Sequence, residues 1–463
     1  MKKIDYKIII LGITLLSLFS CVDSLLDKKP ISSFSAESFY RTQDQAKAGV
    51  FGIYNGLQSA MHTNFSTWGE GRADNVKIKH AGEPTFLHNN TLTADISSAD
   101  WTSLYTLVSR ANYAIANIPK VFPEGDPTGN QLIGQARALR ALAYFYLVRV
   151  WGDVPLILEP YTQTGQDLFV SRDNSELVLN QIEEDLKFAA ANCVDKFNNT
   201  NDRIMFNKGS ANGLLTQVYM WRKKYSDAIA TADLVLANPL YTLATDMTAW
   251  GKMFTDSYST ESIFEVGYND TQTNGLRVLY AIGSDARYSP SPKFMATFEP
   301  GDLRQSYIYD VTQSEPKAVW KYLGKGVSDQ ISTPSKQNII LIRLADIMML
   351  KAEALNKAGG SANITNALKL LEPIRKRAGL TPALLTESQA IAMYGSVEDA
   401  ILHERSVELS YEGHRWFDLV RTGKAISTMQ PINGLSDTRN LVWPIHISTI
   451  NKNPNIVQNE FYR

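Results

Sequence analysis

The chain has 463 residues, with 46 Lys+Arg against 47 Asp+Glu and a net charge of −1. Hydrophobic residues make up 44% and charged residues 20%, which excludes wholesale disorder, collagen and coiled-coil rods. So even a balance gives no electrostatic case for nucleic acid or anionic lipid as a general partner, and the length allows two to four domains or one large helical array.

Residues 1–7, MKKIDYK, carry three lysines, and the 13 residues Ile8–Ser20 are apolar or small. That run is short of the ~20 residues a bilayer span needs. A basic start before a short apolar run reads as a secretory signal. It ends Leu18-Phe19-Ser20-Cys21, which resembles the lipobox of bacterial lipoproteins, where the cysteine is lipidated before cleavage. The expectation is a signal peptide over 1–20 and a lipidated tether over 21–43, with lipid on Cys21. Cys193 is then alone, with no intrachain disulfide, and a core of this size does not need one.

Apolar residues at Ala48, Phe51, Ile53, Tyr54 and Leu57 predict a helix over 44–61. Residues 62–96 lose that period and carry Gly69, Gly71, Gly82 and Pro84, so loops or short strands are expected. Helices follow over 99–118 (stopped by Pro119), about 130–150 and 174–192. Residues 207–238 read as helix, short turn at 223–225, helix, then Pro239. Small residues at Ala211, Ala228, Ala232 and Ala237 allow close packing, a layout that resembles a tetratricopeptide (TPR) helix pair. Residues 341–357 and 367–378 repeat the plan around Gly359-Gly360. Between 240 and 335 the helical period fails again, apart from strand-like runs at 262–268 and 318–322. Residues 380–394 read as a linker, 397–420 as one long helix, and the chain from Asn440 as irregular. The fold class expected is all-α, a TPR-like helix-pair scaffold carrying a loop-rich ligand-binding region.

No enzyme motif is complete. His403-Glu404 begins an HExxH zinc motif, but position 407 is Val. The six histidines show no ligand spacing, and there is no P-loop, G-x-G-x-x-G, G-x-S-x-G or EF-hand loop. Glu404, Glu408 and Glu412 recur every four residues on one helix face. That spacing does not by itself exclude a glycosidase pair. With Arg405, Arg415 and Arg421 nearby, ion pairing is the favoured reading. No metal, cofactor or catalytic residue is expected.

Six stretches together resemble the SusD/RagB family of Bacteroidetes outer-membrane lipoproteins. They are LLDKKPISSFSAESFYRTQDQAKAGVFGIYNGL, WTSLYTLVSRANYAIANI, ARALRALAYFYLVRVWGDVPLI, RLADIMMLKAEALN, HERSVELSYEGHRWFDLVRTGK and LVWPIHISTINKNPNIVQNEFY, in family order from Leu25 to Tyr462. The resemblance implies one SusD-like domain over 44–463. Its scaffold helices lie about 44–61, 99–238, 340–378 and 397–420, with four TPR-like pairs, and its ligand region about 62–96 and 240–335. It also implies a non-catalytic, lipid-anchored protein at the surface of the outer membrane. Such a protein captures glycan and delivers it to a SusC-like TonB-dependent transporter. A peptide-capturing member, or a TPR-type scaffold that binds only proteins, stays open as an alternative.

A sugar ring offers an apolar face for Trp or Tyr and a hydroxyl rim for Asn, Asp or Arg. Trp101, Trp151, Trp221, Trp416 and Trp443 sit in scaffold motifs and are expected in the core. Trp68 is followed by Arg72, Asp74 and Asn75, while Trp250, Tyr268, Arg287, Tyr288 and Trp320 lie in or beside the second irregular segment. These nine are the candidate ligand contacts.

Overall fold

The structure is a computed structural model and describes residues 39–162, 165–281, 286–313, 318–326 and 334–463. The signal peptide expected over 1–20 and the lipidated Cys21 lie outside these residues, as does most of the tether.

Helix α1 (Gln43–Met61) opens on a capping box in which Thr42 Oγ1 accepts from Gln45 N at 3.2 Å and the Gln45 side chain accepts from Thr42 N at 3.1 Å. Its buried face runs through Ala46, Val50, Ile53, Leu57 and Ala60, the i, i+3, i+4 stripe of a helix lying on a core. After the one-and-a-half-turn helix α2 (Asn64–Gly69) and strand β1 (Val76–Ile78) comes α3 (Thr102–Asn117), which packs on α1. Helix α4 (Pro127–Trp151) starts with Pro at its first position and Asp126 capping Gly129 N at 2.8 Å. From Gln135 to Val148 all its residues but Arg137 are buried, because α3 and α1 cover part of it and α5 (Ser175–Asn192) the rest. Arg140 crosses from α4 to Asp185 of α5 in a two-pronged pair at 2.8 and 2.8 Å.

Helices α6 (Lys208–Trp221) and α7 (Tyr225–Leu236) turn through Lys223 in the left-handed region at φ 58°, and Ala228 and Ala232 are buried. Helix α8 (Met247–Asp256) and strand β2 (Ser262–Val266) lead to β3 (Tyr288–Pro290) and β4 (Ile339–Arg343). Strand β4 runs straight into α9 (Leu344–Ala358), which pairs with α10 (Ser361–Arg377) across Gly359 and Gly360, both at positive φ. Each scaffold helix packs on the next in the order α1, α3, α4, α5, α6, α7, α9, α10, giving four TPR-like pairs among the described residues. The remaining longer helices are α11 (Glu387–Tyr394), α12 (Val397–Glu408), α13 (Arg415–Arg421) and α14 (Ala425–Asn433).

Two antiparallel ribbons tie the irregular segments down. Strand β1 pairs with β3 in the register Val76↔Pro290, Ile78↔Tyr288, joining the first loop-rich segment to the second. Strand β2 pairs with β4 and is buried along its whole length, joining the second segment to the last helix pair.

Several local expectations are corrected. Residues 341–343 are strand, since Ile, Leu and Ile there pair with β2. The strand-like run at 318–322 holds a helical turn, Trp320–Leu323. The expected linker over 380–394 contains α11, capped by Thr386 and Gln389. The single helix expected over 397–420 is broken between α12 and α13. Tyr411 and Gly413 lie at φ 67° and 81°, and a Cβ on Gly413 would sit 2.6 Å from the Phe65 carbonyl oxygen. Only glycine permits that approach. Glu412 therefore lies in a turn beyond α12, not on its face.

Candidate ligand cleft

A cleft of about 300 Å³ opens where α1, the short helix Asn201–Ile204 and the turn after β2 meet. Helix α1 supplies Phe51, Tyr54, Asn55 and Gln58, the short helix supplies Asn201, and the turn supplies Tyr268, Asn269 and Gln272. Two rings at the cleft face solvent, Phe51 at 55% and Tyr258 at 39% exposure. Phe51 is exposed because it lies one residue past Val50, about 100° around the helix from the buried stripe. Tyr258 is held out by backbone conformation. It and Ser257 occupy the left-handed region at φ 55° and 62°, a costly arrangement for non-glycine residues. The bend is braced by hydrogen bonds from Tyr258 N to Glu265 Oε2 at 3.0 Å and from Asn338 N to Ser257 Oγ at 2.8 Å.

The wall between the rings is rich in amides. Gln58 donates to the Gly267 carbonyl and, at 3.4 Å, to Gln272 Oε1. The Tyr268 hydroxyl donates to the Gln58 carbonyl at 2.8 Å, which fixes the turn against α1. Asn269 organises that turn, its Oδ1 accepting from Gln272 N at 2.9 Å. Glu265 lines the cleft and is fully buried, with Asn338 Nδ2 on Oε2 at 2.7 Å and no hydrogen-bond partner on Oε1. Burial raises its pKa above the ordinary carboxylate value. An aromatic pair above neutral amides suits an uncharged polar ligand with apolar faces.

Of the nine candidate contacts, Tyr268 lines this cleft and Trp320 lines a second cavity. The exposed aromatic platform expected at Trp68 is corrected. Its indole is fully buried, edge-on to Trp151 at 5.5 Å, and donates to the Ser98 carbonyl at 2.9 Å. Its polar neighbours are buried with it. Arg72 lies over Trp416 at 4.3 Å and donates to the Asn440 carbonyl at 2.6 Å. Asp74 is gripped by Arg415 at 2.8 and 3.0 Å and by Lys293 at 3.0 Å. Asn75 donates to Glu70 at 2.5 Å. The cluster braces the first loop-rich segment against the C-terminal one. Trp250 is likewise internal, its Nε1 donating to Glu408 at 2.8 Å. Tyr288 is buried, and Arg287 is half-buried with Nη1 3.5 Å from Thr67 Oγ1. The scaffold tryptophans behave as expected: Trp101, Trp151, Trp416 and Trp443 are buried and Trp221 partly so.

The carboxylates of the C-terminal motif form ion pairs, with partners other than the expected ones. Glu404 is held by Arg304 at 2.5 Å and Arg375 at 3.3 Å. Glu408 meets Arg304 at 3.1 Å, Arg343 at 2.8 Å and also Arg377. Glu412 meets Arg343 at 2.7 Å and Lys321 at 2.6 Å. Arg405, Arg415 and Arg421 serve other acids, among them Asp418, Asp74 and Glu353. Glu404 and Glu408 are wholly buried, so no substrate reaches them as a catalytic pair. Among the described residues no group of His, Cys, Asp or Glu is arranged to hold a metal, and no helix is long and apolar enough to cross a membrane.

Comparison with known proteins settles the family. The SusD family profile matches residues 305–462, and a second, described as starch-binding and associating with the outer membrane, matches 25–220. A SusD-like protein of Formosa agariphila, P38, is 32% identical over 516 aligned positions that cover 100% of this chain and 99% of that one. The chain belongs to the SusD/RagB family. A second SusD-like protein of the same organism, P2, is 24% identical over 99% of both chains. Among solved structures, a laminarin-binding SusD-like protein superposes with TM-score 0.77 at 25% identity, covering 91% of this chain and 100% of its own. A SusD superfamily protein of Bacteroides thetaiotaomicron superposes with TM-score 0.76 at 23% identity, over 92% of this chain and 99% of its own. The SusD fold is thus that of the whole described chain, and the mainly helical TPR-like architecture agrees with the sequence reading.

The residues that sequence reasoning missed are Phe51, Asn55, Gln58, Tyr258, Asn269 and Gln272. The one signal in the sequence is Phe51 itself, an apolar residue directly after Val50 and outside a single helical stripe.

Proposed function

We propose that this SusD-family protein is a non-catalytic glycan-binding lipoprotein of the cell surface. On this reading lipid on Cys21 tethers residues 21–43 to the outer membrane. The domain over 44–463 captures oligosaccharide and delivers it to a SusC-like TonB-dependent transporter. The observation that carries the reading is the cleft, where the exposed rings of Phe51 and Tyr258 flank Asn55, Gln58, Asn269 and Gln272. Rings cover the axial C–H face of a sugar, and amides satisfy the hydroxyl rim. Family membership and the laminarin-binding neighbour support the same ligand class. Affinity is modest, since sugar hydroxyls exchange water for protein at little net gain.

The test is calorimetry of residues 22–463 against laminarin, other neutral polysaccharides and peptide digests. The expected result is binding of a glycan that weakens about five- to thirtyfold in Tyr258→Ala and Phe51→Ala, each ring contributing ~1–2 kcal/mol. Peptide binding without glycan binding changes the nutrient, and no loss in either variant removes the cleft from the mechanism. For the anchor, metabolic labelling with a radioactive fatty acid is expected to mark the wild-type chain and not Cys21→Ala; equal labelling of both overturns it.

A further inference from the structure

A second cavity, of about 170 Å³, lies between α8 and the helical turn Trp320–Leu323. Its lining includes two aromatic rings, Tyr307 and Trp320, both half-buried. The Tyr307 ring is seated on Gly251, where a Cβ would come within 2.8 Å of it, so its position is set by a glycine in α8. The charges here are one-sided. Among the described residues, Lys252, Lys321 and Lys325 line the cavity and no carboxylate does. Lys321 is neutralised from behind, donating to Glu412 at 2.6 Å and to the Glu408 and Ser410 carbonyls at 2.9 Å each. Lys325 stands 4.5 Å from the centre of the Tyr307 ring and donates to Ser306 Oγ at 3.1 Å, with no ion-pair partner among the described residues. Lys252 is exposed on α8 with no ion-pair partner among the described residues.

We propose that this cavity is a subsite for an acidic sugar, with Lys252 and Lys325 pairing with its carboxylate or sulfate group and the rings of Tyr307 and Trp320 packing on its C–H face. This rests on the glycan-binding reading and extends it, because the first cleft is walled by neutral amides. Two ammonium groups beside two rings in a chain of net charge −1 are a local arrangement for one anion, not a general attraction.

The experiment is native affinity electrophoresis of the full-length chain at low salt in gels containing laminarin, alginate, polygalacturonate or ι-carrageenan. Alginate and polygalacturonate present carboxylates, and carrageenan presents sulfate esters. At least one acidic polymer is expected to retard the wild type, with affinity falling about tenfold in the Lys252→Ala/Lys325→Ala double variant and recovering in Lys252→Arg/Lys325→Arg. Laminarin retardation is expected to be the same in all three. Both lysines are exposed, so the variants fold. Laminarin binding with no retardation by any acidic polymer, or acidic retardation unchanged in the alanine variant, overturns the subsite and leaves the first cleft standing. No retardation by any of the four polymers overturns both.

Discussion

Glu70 shows how far a single residue can sit from its surface appearance. It follows a tryptophan and a glycine in a polar stretch, yet it is fully buried, accepting from Gly413 N at 2.8 Å, His414 N at 3.2 Å and Asn75 Nδ2 at 2.5 Å. Burial outweighs these donors and pushes its carboxyl up from 4.5 to about 7. The folded chain then holds a proton up to about pH 7 that the unfolded chain releases near 4.5. The group's contribution to stability is full below pH 4.5 and is lost as pH rises through 7. Glu70→Gln is expected to flatten that part of the stability profile. At pH 8 it should be the more stable protein, by at most about 3 kcal/mol, while matching the wild type near pH 4.5. Asn75 can rotate its amide to receive the new donor, since its Oδ1 has no partner. Thermal unfolding from pH 4.5 to 8 checks this, and parallel curves for the two proteins would refute it. The same residues explain what the sequence concealed about the candidate site. Trp68, Arg72 and Asp74 look like a ring beside a polar rim, but Asn440 and Trp416, which hold Arg72, and Arg415, which holds Asp74, come from more than 300 positions away, beyond the reach of local pattern.

At the scale of elements the reading was most secure where a capping residue and a periodic stripe agreed. Helix α1, with Thr42 and Gln45, and α6, with Asn207 and Ser210, begin within a residue of expectation. Periodicity misled where an apolar run was buried on all sides, as in β4, whose Ile339–Arg343 merges with the helical pattern of α9. It also ran past the break between α12 and α13, because one glycine in a long amphipathic stretch is weak punctuation. The structure makes that break testable. Gly413 combines φ 81° with contact against Phe65, whereas Gly423 has φ 74° and open space around its Cα. Gly413→Ala is expected to cost ~2 kcal/mol or more and Gly423→Ala ~1 kcal/mol, read as midpoints of urea unfolding. Equal costs would show that backbone conformation, not the close approach of α2, fixes the turn.

Across the whole molecule, the buried charges join what the helices alone would leave separate. Arg343 ends β4 and meets Glu261 at 2.6 Å beside β2, as well as Glu408 at the end of α12 and Glu412 in the turn beyond it. Arg304, from the loop-rich segment, reaches two α12 carboxylates, Glu404 and Glu408. The sequence revealed these acids as ion-pair formers and the helix pairs as a scaffold, since both follow from spacing along one element. It did not reveal the cleft, because that depends on which loop returns to which helix. The Tyr268–Gln58 hydrogen bond spans 210 positions of chain. One wall of the cleft therefore exists as soon as α1 does, and the facing wall waits on residues 258–272. No N-terminal fragment that stops short of Tyr258 carries a site, and no C-terminal one that starts after Gln58 does either. The cleft is a property of the completed chain, and a half-made or clipped copy presents only one of its two walls.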